Sequence, residues 1–216
     1  MNRTHGALIV LEGNDGAGKT TLANLLETRL KDNGYDVLRT REPGGCGISE
    51  QIRQILLDPA NDALDPMCEA LLYTASRRQH FVQTIWPALE QGKIILSDRF
   101  LDSSLAYQGY GRHLGKENIE ALNDTWALQG YRPDLVLFLH LDEKTEKERM
   151  MGRGGLDRMD AQSEAFHHDV REGFETLMKN EPERFACLDA SHDPNTLADL
   201  AWKALQPVLE QRGNAK

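Results

Sequence analysis

The chain has 216 residues, 40% hydrophobic and 27% charged, enough to bury one α/β core with a small insertion but short for two, so a single domain over 1–216 is expected. A formal net charge of −9 opposes binding to a nucleic-acid polymer, because such affinity comes mainly from neutralising phosphates. The first apolar run stops at Glu12, too soon for a signal core or a membrane span, and three cysteines without paired metal-ligand spacing imply reduced thiols, so a cytoplasmic protein is expected.

β-type runs fall at 7–11, 37–41, 94–97, 135–141 and 185–189, and helical spacing at 20–33, 48–57, 67–91, 116–128 and 164–180. Alternation of this kind implies α/β architecture: a doubly wound, three-layer P-loop NTPase fold, with a parallel sheet of about five strands and helices on both faces. Ligands in such sheets collect beyond the carboxyl ends of the strands. The first strand is followed at once by Gly13-Asn14-Asp15-Gly16-Ala17-Gly18-Lys19-Thr20 and then by Thr21 and a helical run. Glycines allow backbone N–H groups to turn inward around phosphate oxygens, and the helix N-terminus adds partial positive charge. Lys19 is then placed for β/γ-phosphates and Thr20 for Mg²⁺. The loop implies nucleotide binding and leaves kinase, GTPase switch and ATPase open.

The second strand ends in Thr40-Arg41-Glu42-Pro43-Gly44-Gly45 and the third in Ser97-Asp98-Arg99-Phe100. Asp98 is a strand-end carboxylate suited to Mg²⁺ or its water, and Arg99 a fork for phosphate. An ordinary Asp–Arg salt bridge would look the same in sequence.

The stretch from Asp98 through Leu101-Asp102-Ser103-Ser104-Leu105-Ala106-Tyr107-Gln108 to Gly109, taken with 40–45 and the glycine loop, closely resembles bacterial thymidylate kinases. The resemblance implies transfer of the γ-phosphoryl group of ATP to dTMP, giving dTDP on the route to dTTP, with Mg²⁺ and a homodimer. It implies that Arg41, Arg53 and Arg99 face the dTMP phosphate and that Asp15 and Glu42 lie near the sugar and the transferred group. It also implies that Tyr73 stacks on the thymine while Arg77 addresses a ring carbonyl. Ser104 and Gln108 would meet the base edge and Tyr107 the sugar, with Ser103 on the substrate side; by residue type alone Asp102, Ser103 and Ser104 also suit a helix cap, Ser103 first among them, and both can hold at once. Phenylalanine is commoner in that family where Tyr73 stands; tyrosine keeps the π-face and adds a hydroxyl that needs water or a partner.

Residues 146–151 read as a helix entering Gly152-Arg153-Gly154-Gly155-Leu156-Asp157-Arg158, a lid at about 146–160. Phosphoryl transfer asks for cations where charge spreads, and the loop residues Asn14 to Ala17 include no arginine. Arg149 and Arg153, four apart, are the expected suppliers, with Arg158 in support. The rivals are a kinase for another monophosphate and a nucleotide-binding switch that lacks an acceptor; no NKxD-type guanine-reading motif is present.

Overall fold

All five expected strands form in the computed structural model, which describes residues 6–151 and 157–211. They are β1 (Ala7–Glu12), β2 (Val37–Arg41), β3 (Ile94–Asp98), β4 (Leu135–His140) and β5 (Phe185–Asp189). They pair in parallel in the order β2-β3-β1-β4-β5. Around them lie α1 (Lys19–Asp32), α2 (Gly47–Leu57), α3 (Pro66–His80), α4 (Trp86–Glu90), α5 (Leu101–Ser104), α6 (Lys116–Leu122), α7 (Glu143–Met151), α8 (Glu164–Asn180) and α9 (Pro194–Gln211).

The period-2 alternation of a strand assigns the layers. Ala7, Ile9 and Leu11 of β1 join Leu22, Leu26 and Leu30 of α1 and Leu197, Ala201 and Leu205 of α9. Leu8 and Val10 face the other way, into Phe81, Leu89 and Ile119. Each such buried aliphatic side chain contributes about 1.5–3 kcal/mol, so both helical layers are held by the sheet rather than by each other.

The expected helix at 67–91 is interrupted by a π-helical turn, Phe81–Ile85, and that at 116–128 ends in one, Asn123–Ala127. Pro87 has no N–H to return to the preceding turn, so the helix widens ahead of it. Asn123 instead spends its side-chain amide on the Ile119 carbonyl at 2.8 Å, and the Leu128 N–H reaches back five residues to the Asn123 carbonyl.

Helix α9 is an element that the apolar-run reading passed over. Asp193 starts it by accepting from the N–H groups of Asn195 and Thr196, and Leu197, Ala201, Leu205 and Leu209 give it one buried stripe.

The register brings the site together. Leu11 and Arg41 both lie level with Asp98 of β3, so the segments leaving β1, β2 and β3 emerge side by side at one edge of the sheet.

Candidate active site

Directly after β1, Gly13 has φ +132°, and a Cβ there would lie 2.5 Å from the Leu139 carbonyl of β4. Only glycine allows the chain to turn this close to its neighbour. The turn delivers α1, whose N-cap Gly18 is left-handed and makes no side-chain cap bond. Its first N–H groups are therefore left for an anion.

Lys19 is 7% exposed, and its Nζ donates to the carbonyls of Gly13 and Asn14, each at 2.9 Å. Burial, reinforced by the nearby Arg99 cation, lowers its pKa to about 8. Asn14 ties the loop to α7 by donating to Glu146 at 2.8 Å, and Ala17 is buried. Thr20 and Thr21 are exposed on the first turn of α1.

Across the gap, Arg99 adopts φ +70°, a left-handed conformation that costs a side-chain-bearing residue on the order of 1–3 kcal/mol unless its surroundings impose it. They do so through Glu12. This fully buried carboxylate accepts from the N–H groups of Phe100 and Ser103, both at 3.0 Å, and from the Ser103 hydroxyl at 2.6 Å. Glu12 is thus the cap of α5, supplied from β1. The expected cap, Ser103, lies inside the helix and gives its hydroxyl to that carboxylate.

So fixed, Arg99 donates to Ser103 Oγ and to Asp15 Oδ1, both at 3.0 Å, and its guanidinium lies 5.4 Å from the Tyr107 ring centroid. Asp15 is also 3.8 Å from Lys19 Nζ. One loop carboxylate therefore connects the two cations.

Burial raises the Glu12 pKa to about 7, against the opposing pull of Arg99. A carboxyl whose folded value exceeds its unfolded one weakens the fold as pH rises between the two. From 4.5 to about 7 the effect is roughly 3 kcal/mol. Glu12→Gln removes this titration, so its stability relative to wild type should improve by roughly 3 kcal/mol between pH 5 and pH 8. Urea unfolding at the two pH values measures this; a difference that does not change with pH contradicts it.

Arg41 is about half exposed and pairs with Glu50 at 2.9 Å. Arg53 donates to the Pro43 carbonyl at 2.7 Å; its pKa is lowered by burial and by Arg41 beside it. Glu42 and Arg77 are both buried and 2.7 Å apart. The other Glu42 oxygen meets His80 Nδ1 at 3.0 Å. Although burial pushes the Glu42 carboxyl upward, Arg77 and His80 hold it below its ordinary range. Arg77 also donates to Asn123 Oδ1, the Phe100 carbonyl and Ser104 Oγ. Among the described residues, that leaves one of its five N–H groups uncommitted.

A cavity of about 430 Å³ joins these groups. Lys19, Arg99, Arg41, Arg53, Asp15 and Asp98 line it, and so do Tyr73, Arg77, Ser104, Tyr107 and Gln108. Thr20, Thr21, Gly16, Gly18, Glu42 and Ser103 also belong to the wall. Burial raises the pKa of both Tyr73 and Tyr107, which keeps the phenols neutral.

A smaller recess of about 190 Å³ opens behind the loop, between Gly18 and Thr21 on one side and Ala190 and His192 on the other. Arg149 borders this recess and not the larger one, donating to the Gly16 and Ala190 carbonyls at 3.2 and 3.3 Å. Arg153 lies outside the described residues.

Arg158 is a correction. It is 3% exposed, 2.7 Å from Glu69, and bonded to the Leu56 carbonyl. Its charge is matched by Glu69, and unlike Lys19 and Arg77 it does not line the cavity.

Glu12, Glu69, Asn123, His80, Ala190 and His192 were not read from sequence as parts of this region. A carboxylate closing an otherwise apolar strand was the one available signal for Glu12; the others act through partners distant in the chain.

A glycine phosphate loop after β1 that shares one cavity with a second set of cations, Arg41, Arg53 and Arg99, is the arrangement of a P-loop phosphotransferase. A family model described as thymidylate kinase matches residues 11–200. The chain is 45% identical over 211 residues to a thymidylate kinase of Exiguobacterium sp. AT1b, covering 98% of this chain and 99% of the relative. It is 45% identical over 214 residues to that of Pelotomaculum thermopropionicum, covering 98% and 99%. The crystal structure of thymidylate kinase from Ehrlichia chaffeensis superposes with a TM-score of 0.74 at 34% identity, covering 93% of this chain and 98% of that one. The chain belongs to the thymidylate kinase family.

Proposed function

We propose that this chain transfers the γ-phosphoryl group of ATP to dTMP, giving ADP and dTDP. The observation that carries the reading is that Lys19 and Arg99 line one cavity and share the Asp15 carboxylate, at 3.8 and 3.0 Å. Two phosphate-seeking groups from different strand ends thus face a common space, as head-to-head transfer requires.

The donor phosphates lie on the loop from Gly13 to Thr21, and the nucleoside of ATP takes the recess by Arg149, Ala190 and His192. The acceptor phosphate lies among Arg41, Arg53 and Arg99. Its base enters beside Tyr73 and Arg77, and Tyr107 closes against the deoxyribose. Because a phosphate monoester is already anionic near neutral pH, the reaction needs no strong general base. The protein supplies alignment, positive charge and exclusion of water.

Asp98 and Thr20 are hard oxygen donors on the same cavity wall. Two such donors suit Mg²⁺ carried on substrate phosphates, where it neutralises charge. The lid is the segment 146–160: Arg149 meets the loop at Gly16, and Arg153 belongs to the same segment. Residues 1–216 act as one domain in the cytoplasm.

A homodimer is supported by Ile48 and Ile55 of α2 and by Met67 and Leu71 of α3, four large apolar side chains each 41–53% exposed.

The test is a panel of nucleoside monophosphates assayed for ADP release, paired with melting curves. dTMP is expected to be the best acceptor and to raise the melting midpoint by mass action. Preference for a purine monophosphate, or ATP hydrolysis indifferent to any acceptor, refutes the assignment.

A further inference from the structure

Glu69 of α3 is fully buried yet lies outside the cavity lining. It gathers donors from three directions. Oε1 accepts from Gln108 Nε2 at 2.8 Å and from Arg112 Nε at 3.2 Å. Oε2 accepts from Arg112 Nη2 at 3.0 Å and lies 2.7 Å from Arg158 Nη2. With four donors arranged around it, the carboxylate has one orientation.

That orientation dictates the orientation of Gln108. A carboxylate only accepts, so the amide must turn its NH₂ toward Glu69 and its carbonyl away. Gln108 is 1% exposed and lines the cavity. Its Oε1 has no hydrogen-bond partner among the described residues, yet it is not an enclosed, unsatisfied atom. The cavity is where that oxygen meets its surroundings.

Two donors line the same cavity. Arg77 keeps one N–H uncommitted, and Ser104 Oγ, which accepts from Arg77, retains its own hydroxyl proton. The cavity lining therefore offers an acceptor on Gln108 together with donors on Arg77 and Ser104. It complements a pyrimidine that carries a ring N–H between two carbonyls; an aminopyrimidine would set its ring lone pair against the Gln108 oxygen.

We infer that Glu69 is a specificity-positioning residue: by holding the Gln108 amide nitrogen it fixes Gln108 Oε1 as an acceptor and so selects keto-pyrimidine monophosphates over amino-pyrimidine ones. The inference rests on the acceptor reading given under Proposed function.

The experiment compares kcat/KM for dUMP and dCMP, which lack the methyl group alike and differ only at the base edge, with dTMP as the wild-type control. Glu69→Gln frees the 108 amide to turn either way, because an amide at position 69 can donate or accept. The dUMP/dCMP ratio should fall about tenfold or more, as when a site loses a hydrogen bond aimed at one edge. Gln108→Leu should lower the ratio similarly. The double variant should lie no lower than Gln108→Leu alone, since both changes remove one interaction.

An equal loss of activity on both substrates with an unchanged ratio in Glu69→Gln assigns Glu69 to packing and overturns the inference. So do multiplicative effects in the double variant. An unchanged ratio in Gln108→Leu overturns it even where Glu69→Gln fails to fold. Should wild type use neither dTMP nor dUMP, the acceptor reading fails first and takes this inference with it. A wild type that uses dTMP with variants that keep the ratio defeats this inference alone.

Discussion

Arg99→Ala is expected to lower kcat/KM for dTMP about a thousandfold while the KM for ATP changes little. The guanidinium lines the cavity, where the proposed function sets the acceptor phosphate, on a backbone held at φ +70° by the Glu12 cap. Alanine keeps that backbone strain and gives up the cation that the proposed function sets against the acceptor phosphate. Stability should fall by only about 1–2 kcal/mol, because Glu12 keeps its two N–H donors and the Ser103 hydroxyl when its Arg99 partner, 3.8 Å away, is lost. Steady-state kinetics with dTMP varied at saturating ATP, together with a thermal melt, separate the two effects. A variant that loses ATP and dTMP use in equal measure, or that is unfolded at assay temperature, removes Arg99 from the acceptor role.

Lys19→Ala is expected to lower kcat about a hundred- to a thousandfold and to weaken nucleotide binding, with a stability change within about 1 kcal/mol. The two loop carbonyls that Lys19 satisfies are left to water that enters the vacated space. Its depressed pKa of about 8 shows how poorly the enclosed cation is compensated by protein alone. A triphosphate supplies the missing negative charge, so the side chain matters far more to the bound state than to the fold. Unchanged kcat, or a loss of many degrees in melting temperature without nucleotide, contradicts this division.

Much of the fold was legible because its signals are local. Apolar runs bounded by turn residues located all five strands, and Gly13 to Thr20 announced a phosphate loop since each residue type there has its own backbone or charge duty. Strand ends marked where Arg41, Asp98 and Arg99 would collect. Less legible were the π-helical turns at Phe81–Ile85 and Asn123–Ala127, where a missing N–H and a competing side-chain amide outweigh helical spacing. Arg158 misled for a related reason. A cation in a glycine-rich stretch looks available, and only the folded chain shows it closed against Glu69.

What the sequence determined by itself, then, was the α/β class, the parallel sheet and the two ligand-facing motifs, each encoded within a few consecutive residues. Tertiary structure alone decided which atoms those motifs present. Glu12 caps a helix that begins 89 positions later, at Leu101, and Glu69 turns an amide 39 positions away. Hydrogen bonds between buried groups depend on distance and angle in space, and no spacing along the chain records them before the sheet brings its strand ends level.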